Sequence, residues 1–252
     1  MNLERYKLAL GELPLKAREI LKKEVIISEF SGYQNSFRLN KEDNFSDGIY
    51  RNSKGQVLIR CTTEMSKVEP KMIDWWFGWH MPETERYKLW HPRDHVEAQL
   101  REDRSKYLTD KEKYIGADSY VKEYIGKELN ELCITFHEPY DFGFPELDIN
   151  KETAICAHVV DTKKGLSAAS LTHLVIEKEG GSFMVSTFWL GMGTQLTNKF
   201  LNFLLKPILN IKAVKKSFIP DKLAKNLLIH CYEEMNHLSK FLPDLYKDLN
   251  PH

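Results

Sequence analysis

The chain has 252 residues, enough to bury one substantial core, and its 36 basic and 36 acidic residues cancel to zero formal net charge. That balance removes any general electrostatic case for nucleic acid or an anionic membrane surface as a partner. Four cysteines without a CxxC pair read as buried free thiols of a reducing compartment rather than a disulfide frame.

The N-terminus, MNLERYKLALGELPLK, is charged from the fourth residue and lacks the apolar core of a signal peptide. A cytoplasmic location is therefore expected. One helix is predicted from Pro14 to Val25, followed by a turn-prone polar loop, SGYQNSFRLNKEDNFSDG. Alternation over Gln56 to Glu64 sets Val57, Ile59 and Cys61 against Leu58, Arg60 and Thr62, and predicts a strand. Pro70 then opens an aromatic helix, PKMIDWWFGWH. Pro92 is read as the start of another short helix carrying His95 in its first turns. Residues 97–113 read as a solvated helix or loop.

Strands follow at Ser119–Ile125, Glu131–His137, Ala154–Asp161, Ala168–Lys178 and Ser182–Leu190, the last two joined by a tight hairpin at Gly180–Gly181. LGMGTQ after Trp189 reads as a turn. Lys199–Ile211 reads as a helix broken at Pro207; with Lys206 also inside it, this most apolar stretch is too short to span a bilayer. A long helix runs from about Pro220 to Phe241. Antiparallel strands followed by one long helix predict an α+β fold with the sheet wrapped on that helix.

The long helix carries an anomaly. Its apolar stripe, Leu223, Leu227, His230, Cys231, Glu234, Leu238 and Phe241, includes an ionisable pair at i and i+4. A carboxylate on a core-facing stripe needs a wet cavity, a cationic partner or a metal ion, and His230 and Glu234 can share one ligand. The plain alternative is a rim position with a nearby lysine. Glu123 raises the same question, because Val121, Glu123 and Ile125 share one strand face and Tyr120, Lys122 and Tyr124 the other. In WHPRDH, His91 reads as a cap before Pro92, and His95 is the better metal ligand. His137, with Glu138, and His158 and His237 are the alternatives. His173 shares a face with Val175 and is either a hydrogen-bonded core histidine or a proton carrier in a cavity. Tyr87 is either an interfacial tyrosine or a hydrogen-bond donor to a ligand oxygen.

The run WWFGWHMPETERYKLWHPRDH, then SYVKEYIG, then THLVIEKEGGSFMVSTFWLG, then HCYEE, resembles the 2,4-diacetylphloroglucinol hydrolase family, which includes phloretin hydrolases, over about residues 70–240. The resemblance implies a helix-grip fold like that of birch-pollen allergens and START domains. Residues 1–55 would form a small N-terminal segment used in contacts of a homodimer, and 56–252 the catalytic domain. It implies one Zn2+ per chain held by His95, Glu123, His230 and Glu234, with His173 catalytic and Tyr87 binding substrate. The implied reaction is hydrolysis of the carbon–carbon bond between an acyl group and a phloroglucinol-type or other β-diketone-like ring, releasing a carboxylic acid. The substrate would be a small aromatic polyketide-like molecule. Two positions depart from the family pattern: a second ring-binding tyrosine falls near Phe188 or Trp189, and an asparagine falls on Ala98. The rival reading is a non-catalytic helix-grip carrier of an apolar aromatic ligand, which needs no buried acids.

Overall fold

The computed structural model describes residues 2–42 and 45–251, apart from the side chain of residue 168. Nine strands form one sheet: β1 (Ile26–Ile27), β2 (Gly48–Arg51), β3 (Val57–Ser66), β4 (His95–Leu100), β5 (Asp118–Ile125), β6 (Glu128–His137), β7 (Glu152–Asp161), β8 (Leu166–Lys178) and β9 (Gly181–Leu196). Their spatial order is β1-β2-β3-β9-β8-β7-β6-β5-β4. All neighbours are antiparallel except β1 and β2. Among the described residues eight α-helices accompany it: α1 (Leu15–Lys22), α2 (Ser36–Lys41), α3 (Pro70–His80), α4 (Thr84–Trp90), α5 (Asp110–Tyr114), α6 (Lys199–Leu209), α7 (Lys212–Phe218) and α8 (Asp221–Leu249). The sheet wraps the long α8, and α3 and α4 close one end of the grip. This is the α+β helix-grip architecture that the sequence predicts.

The main core lies between the sheet and α8. Ile59, Cys61 and Met65 of β3 meet Leu228, Cys231, Met235, Leu238 and Leu242 of α8, all fully buried. Each such aliphatic side chain contributes on the order of 1.5–3 kcal/mol through its removal from water. Cys61 Sγ and Cys231 Sγ are 3.3 Å apart as free thiols. Trp76 of α3 packs edge-on against Phe241 of α8 and Trp90 of α4, which fixes both short helices against the long one. No helix among the described residues is long and apolar enough to cross a membrane.

Several elements differ from expectation: α6 continues through Pro207 to Leu209 where a break is expected, and residues 97–100 belong to β4 and not to a solvated helix or loop. The predicted loop before β2 holds α2, where the fully buried Leu39 packs with Tyr50, Leu58 and Trp189; Asp43 and Asn44 of that stretch lie outside the described residues. Pro92 opens a turn and not a helix, closed by the His95 N–H bonding the His91 carbonyl at 3.0 Å, and His95 is the first residue of β4. LGMGTQ is strand: β9 continues to Leu196, and Gly191 and Gly193, at φ 77° and 65°, carry an irregularity before pairing resumes at Ser167–Gln195. α8 runs through Pro243 because Leu242 and Leu245 stay buried on its core face.

Asp47, just before β2, ties three layers together. Its carboxylate accepts from Arg60 (2.7 Å), the Thr62 N–H and hydroxyl (2.8 Å each) and the Tyr232 hydroxyl of α8 (3.0 Å), and pairs with Lys16 of α1. Burial alone would raise its pKa, but the bonds from Lys16 and Thr62 hold it below the ordinary 3.8. A lowered folded-state pKa gives stability that is complete above the ordinary value and lost as pH falls through the folded one. Asp47→Asn should therefore lower unfolding free energy by about 3 kcal/mol at neutral pH, and the gap from the parent should shrink below about pH 4. Denaturant titrations of both proteins at several pH values check this, and a gap unchanged at low pH counts against it.

Candidate metal centre

β4 is an edge strand, and its register with β5 sets His95 directly opposite Glu123. Alternation along β5 buries Val121, Glu123 and Ile125 and exposes Tyr120 and Tyr124, so the His95 and Glu123 side chains stand together on the surface facing α8. α8 crosses there with His230 and Glu234 one turn apart. His95 Nε2 lies 3.8 Å from Glu123 Oε2 and 3.6 Å from Glu234 Oε2, and His230 Nε2 lies 3.8 Å from Glu234 Oε2. His95, Glu123 and His230 each offer a donor atom within 4.8 Å of the others, and Glu234 joins through the two imidazoles. Donors about 2.1 Å from a tetrahedral ion are about 3.4 Å apart, close to these separations.

The imidazoles are turned to present lone pairs. His95 Nδ1 bonds the Tyr87 carbonyl at 3.0 Å, leaving Nε2 buried without any hydrogen-bond partner. His230 Nδ1 lies 3.4 Å from Asp94 Oδ2. Anchoring Nδ1 on an oxygen fixes the tautomer and ring orientation, as metal-binding histidines require. The Tyr87 hydroxyl donates to Glu123, and its ring stacks on His95 with centroids 3.8 Å apart and planes at 4°. One residue thus braces two of the four donors.

Protons gather where the carboxylates are buried. Burial, together with the nearby Cys231, Glu123 and Asp94, pushes Glu234 well above the usual carboxylate range despite His230 beside it. Burial opposes charge on His230, yet the bond to Asp94 and the charges of Glu234 and Glu123 raise it to about 9. His95 falls well below 6.5 through burial and the neighbouring His230. The upward shift of Glu234 says that this buried acid does not ionise without positive charge beside it, and the upward shift of His230 answers the acids around it. A divalent cation would displace those protons and supply that charge. The orphaned His95 Nε2 and the two-imidazole, two-carboxylate donor set fit such an ion.

A second group, His91, Asp94 and His230, also brings donor atoms within 4.8 Å. Asp94 is already engaged there, accepting from Arg93 at 2.9 and 3.0 Å. His91 Nδ1 accepts the Asp94 N–H at 3.1 Å, the backbone-capping role expected of it. Arg93 also reaches Glu233, so this cluster is an ion-paired support behind His230. Asp94 and Glu233 escaped sequence reading because a charged residue beside a turn usually faces water; the only signal was the clustering of WHPRDH and HCYEE.

His173 lines the same cavity, of about 70 Å³, with Tyr87, His95, Glu123, His230, Glu234 and apolar walls that include Phe77, Phe136 and Phe188. It pairs across strands with Ser186, and its Nδ1 is 2.8 Å from the Ser186 hydroxyl. Burial lowers its pKa to about 3, so the ring is neutral at physiological pH. Phe188, not Trp189, faces this cavity; the Trp189 indole points away and donates to the Ser31 carbonyl. Ala98 is buried but does not line the cavity. His158 bonds Ser170 and packs on His137 and Phe142 away from the cluster, while His237 is buried one turn beyond Glu234 and does not join it. His80, unsuspected from sequence, lines the cavity with Nδ1 bonded to the Trp76 carbonyl and its pKa lowered to about 3 by burial.

Known proteins resemble the chain along most of its length. Phloretin hydrolase of Eubacterium ramulus is 29% identical over 226 residues, which are 85% of this chain and 77% of that protein. A 2,4-diacetylphloroglucinol hydrolase of a Pseudomonas species is 28% identical over 196 residues, 75% of this chain and 64% of that relative. Among solved structures, Zhui aromatase/cyclase from Streptomyces sp. R1128 superposes with a TM-score of 0.42 at 10% identity, covering 78% of this chain and 96% of that one. The profile of the DAPG hydrolase PhiG domain matches residues 33–247, a span that holds all four inward donors together with Tyr87 and His173. The chain belongs to the DAPG hydrolase PhiG domain family.

Proposed function

We propose that this protein is a zinc-dependent hydrolase that cleaves the carbon–carbon bond between an acyl group and a phloroglucinol-type ring. The observation that carries this reading is the convergence of His95, Glu123, His230 and Glu234 on one enclosed space, with His95 Nε2 left bare. The names of the relatives, hydrolases of phloretin and of 2,4-diacetylphloroglucinol, supply the substrate class. An apolar carrier gains nothing from two buried acids.

In this reading the four residues hold one zinc ion, which supplies Lewis acidity toward the acyl carbonyl and the attacking water. The chain's own groups do the rest. Phe77, Phe136 and Phe188 wall the cavity against bulk water and pack on the ring. His173, neutral and anchored by Ser186 through Nδ1, exchanges protons at Nε2. A proton placed on the ring carbon makes that carbon a stabilised leaving group, since the adjacent ring oxygens then form a β-diketone. Water adds to the acyl carbon, the ring–acyl bond breaks, and the products are the ring bearing hydrogen and a carboxylic acid. Tyr87 holds Glu123 in place and lines the cavity where a ring hydroxyl would lie. Residues 1–55 serve contacts between two copies in this reading, and 56–252 carry the chemistry, with β1 and β2 extending the sheet of the latter.

Purified protein should contain about one zinc per chain, and Glu234→Ala should lose most of it; equal metal content in the two by elemental analysis rules the site out. The zinc-loaded protein should release acid from at least one of monoacetylphloroglucinol, diacetylphloroglucinol and phloretin, as a chromatographic assay of both products would reveal. His173→Ala should keep its zinc while kcat falls by about 10²–10⁴. A loss confined to KM would make His173 a binding group instead.

A further inference from the structure

Space inside the grip continues beyond the donor cluster. The cluster's cavity is walled on one side by Ile134 of β6, Leu171 of β8, Phe188 of β9 and Leu227 of α8. Two residues along the same strands and one turn back along α8, the residues Leu132, Ala169, Leu190 and Leu223 wall a second compartment of about 160 Å³. Steps of two on a strand and four on a helix keep to one face, so the compartments lie end to end between the same sheet and helix surfaces. Leu209, Phe218 and Ile219, from α6, α7 and the link to α8, form the far wall.

Five polar residues interrupt this apolar lining: Asn130, Asp161, Lys164, Thr194 and Lys215. Lys215 of α7 is 4% exposed, and among the described residues its side-chain ammonium has neither a paired carboxylate nor a hydrogen-bond acceptor. Burial, then the like charge of Lys54, lowers its pKa. The Thr194 hydroxyl on β9 is likewise buried without a hydrogen-bond partner. A lysine without a counter-charge beside so much apolar surface is a position that an anion can complete. Asp161 lines the same compartment but is paired with Lys164 at 2.8 Å, and among the described residues no acid pairs with Lys215.

We propose that the second compartment binds the end of the acyl arm remote from the bond to be cut: an apolar body about one ring in size, ending in an acidic oxygen that meets Lys215 and Thr194. A cavity of about 150 Å³ lined by aliphatic and aromatic groups holds benzene, which sets the size. The assignment to an acyl arm rests on the reaction proposed above; the binding site itself does not. It makes this enzyme selective for long acyl arms with an acidic terminus over acetyl.

The test uses two ligands and two variants of the zinc-loaded protein. By titration calorimetry, 4-phenylbutanoate should bind the parent at least tenfold more tightly than the neutral 4-phenylbutanamide. Lys215→Met, which relieves a buried charge and so should fold, should abolish that preference. Ala169→Phe, which fills the compartment, should weaken both ligands at least tenfold. Equal affinity of 4-phenylbutanoate for the parent and Lys215→Met overturns the proposal. So does binding that Ala169→Phe leaves intact, since the carboxylate is then held at the donor cluster. In turnover, Lys215→Met should raise KM for phloretin at least tenfold more than for monoacetylphloroglucinol. The expected binding pattern without hydrolysis of any acylphloroglucinol would retire the proposed reaction and keep the site.

Discussion

Glu123 and Glu234 can remain inside the grip only while positive charge remains with them, because an ionised carboxylate taken from water loses several kcal/mol of hydration. Most of the polar structure at this end follows from that constraint. The two imidazoles are near enough to both acids to carry protons for them or to share a cation with them. Asp94 and Arg93 balance His230 from behind, and Tyr87 gives Glu123 a hydrogen bond that water would otherwise supply. The apolar walls make the constraint sharper, since Phe77, Phe136 and Phe188 offer a stray charge no hydrogen bond.

Two different periodicities meet to build the cluster. Strand alternation and the β4–β5 register deliver His95 and Glu123 as neighbours, and the i, i+4 spacing of α8 delivers His230 and Glu234. Neither pair suffices alone. Their meeting depends on α8 lying across the sheet at a fixed depth, which the Cys61–Cys231 packing and the Asp47–Tyr232 bond maintain close by. The far compartment uses the same surfaces one step further along, so depth of packing governs both spaces at once.

Local pattern was enough to place three of the four candidate donors on the elements that carry them. Glu234 and His230 stand out on an apolar stripe, and Glu123 stands out between Val121 and Ile125. His95 was legible as a residue but not as a strand residue, because β4 owes its conformation to pairing with β5 and not to its own sequence. The same holds for α2, stabilised by burying Leu39, and for the end of β9, whose glycines read as a turn until β8 supplies a partner. Asp94 and Lys215 were illegible for a related reason. Charged side chains in polar stretches look solvated, and only the folded chain shows what has been laid over them.

The donors belong to segments far apart in the chain: Asp94 and the His230 it supports are separated by 136 residues. A binding site assembled across so long a loop does not exist in any compact fragment of the chain. The order in which the protein acquires its shape is therefore constrained, since the sheet must be paired to its edge before the cluster can close. An ion held by these four residues would join β4 and β5 to α8 as a late clasp on a largely finished fold, adding loop-closure stability where the sheet has no further strand to hold its margin.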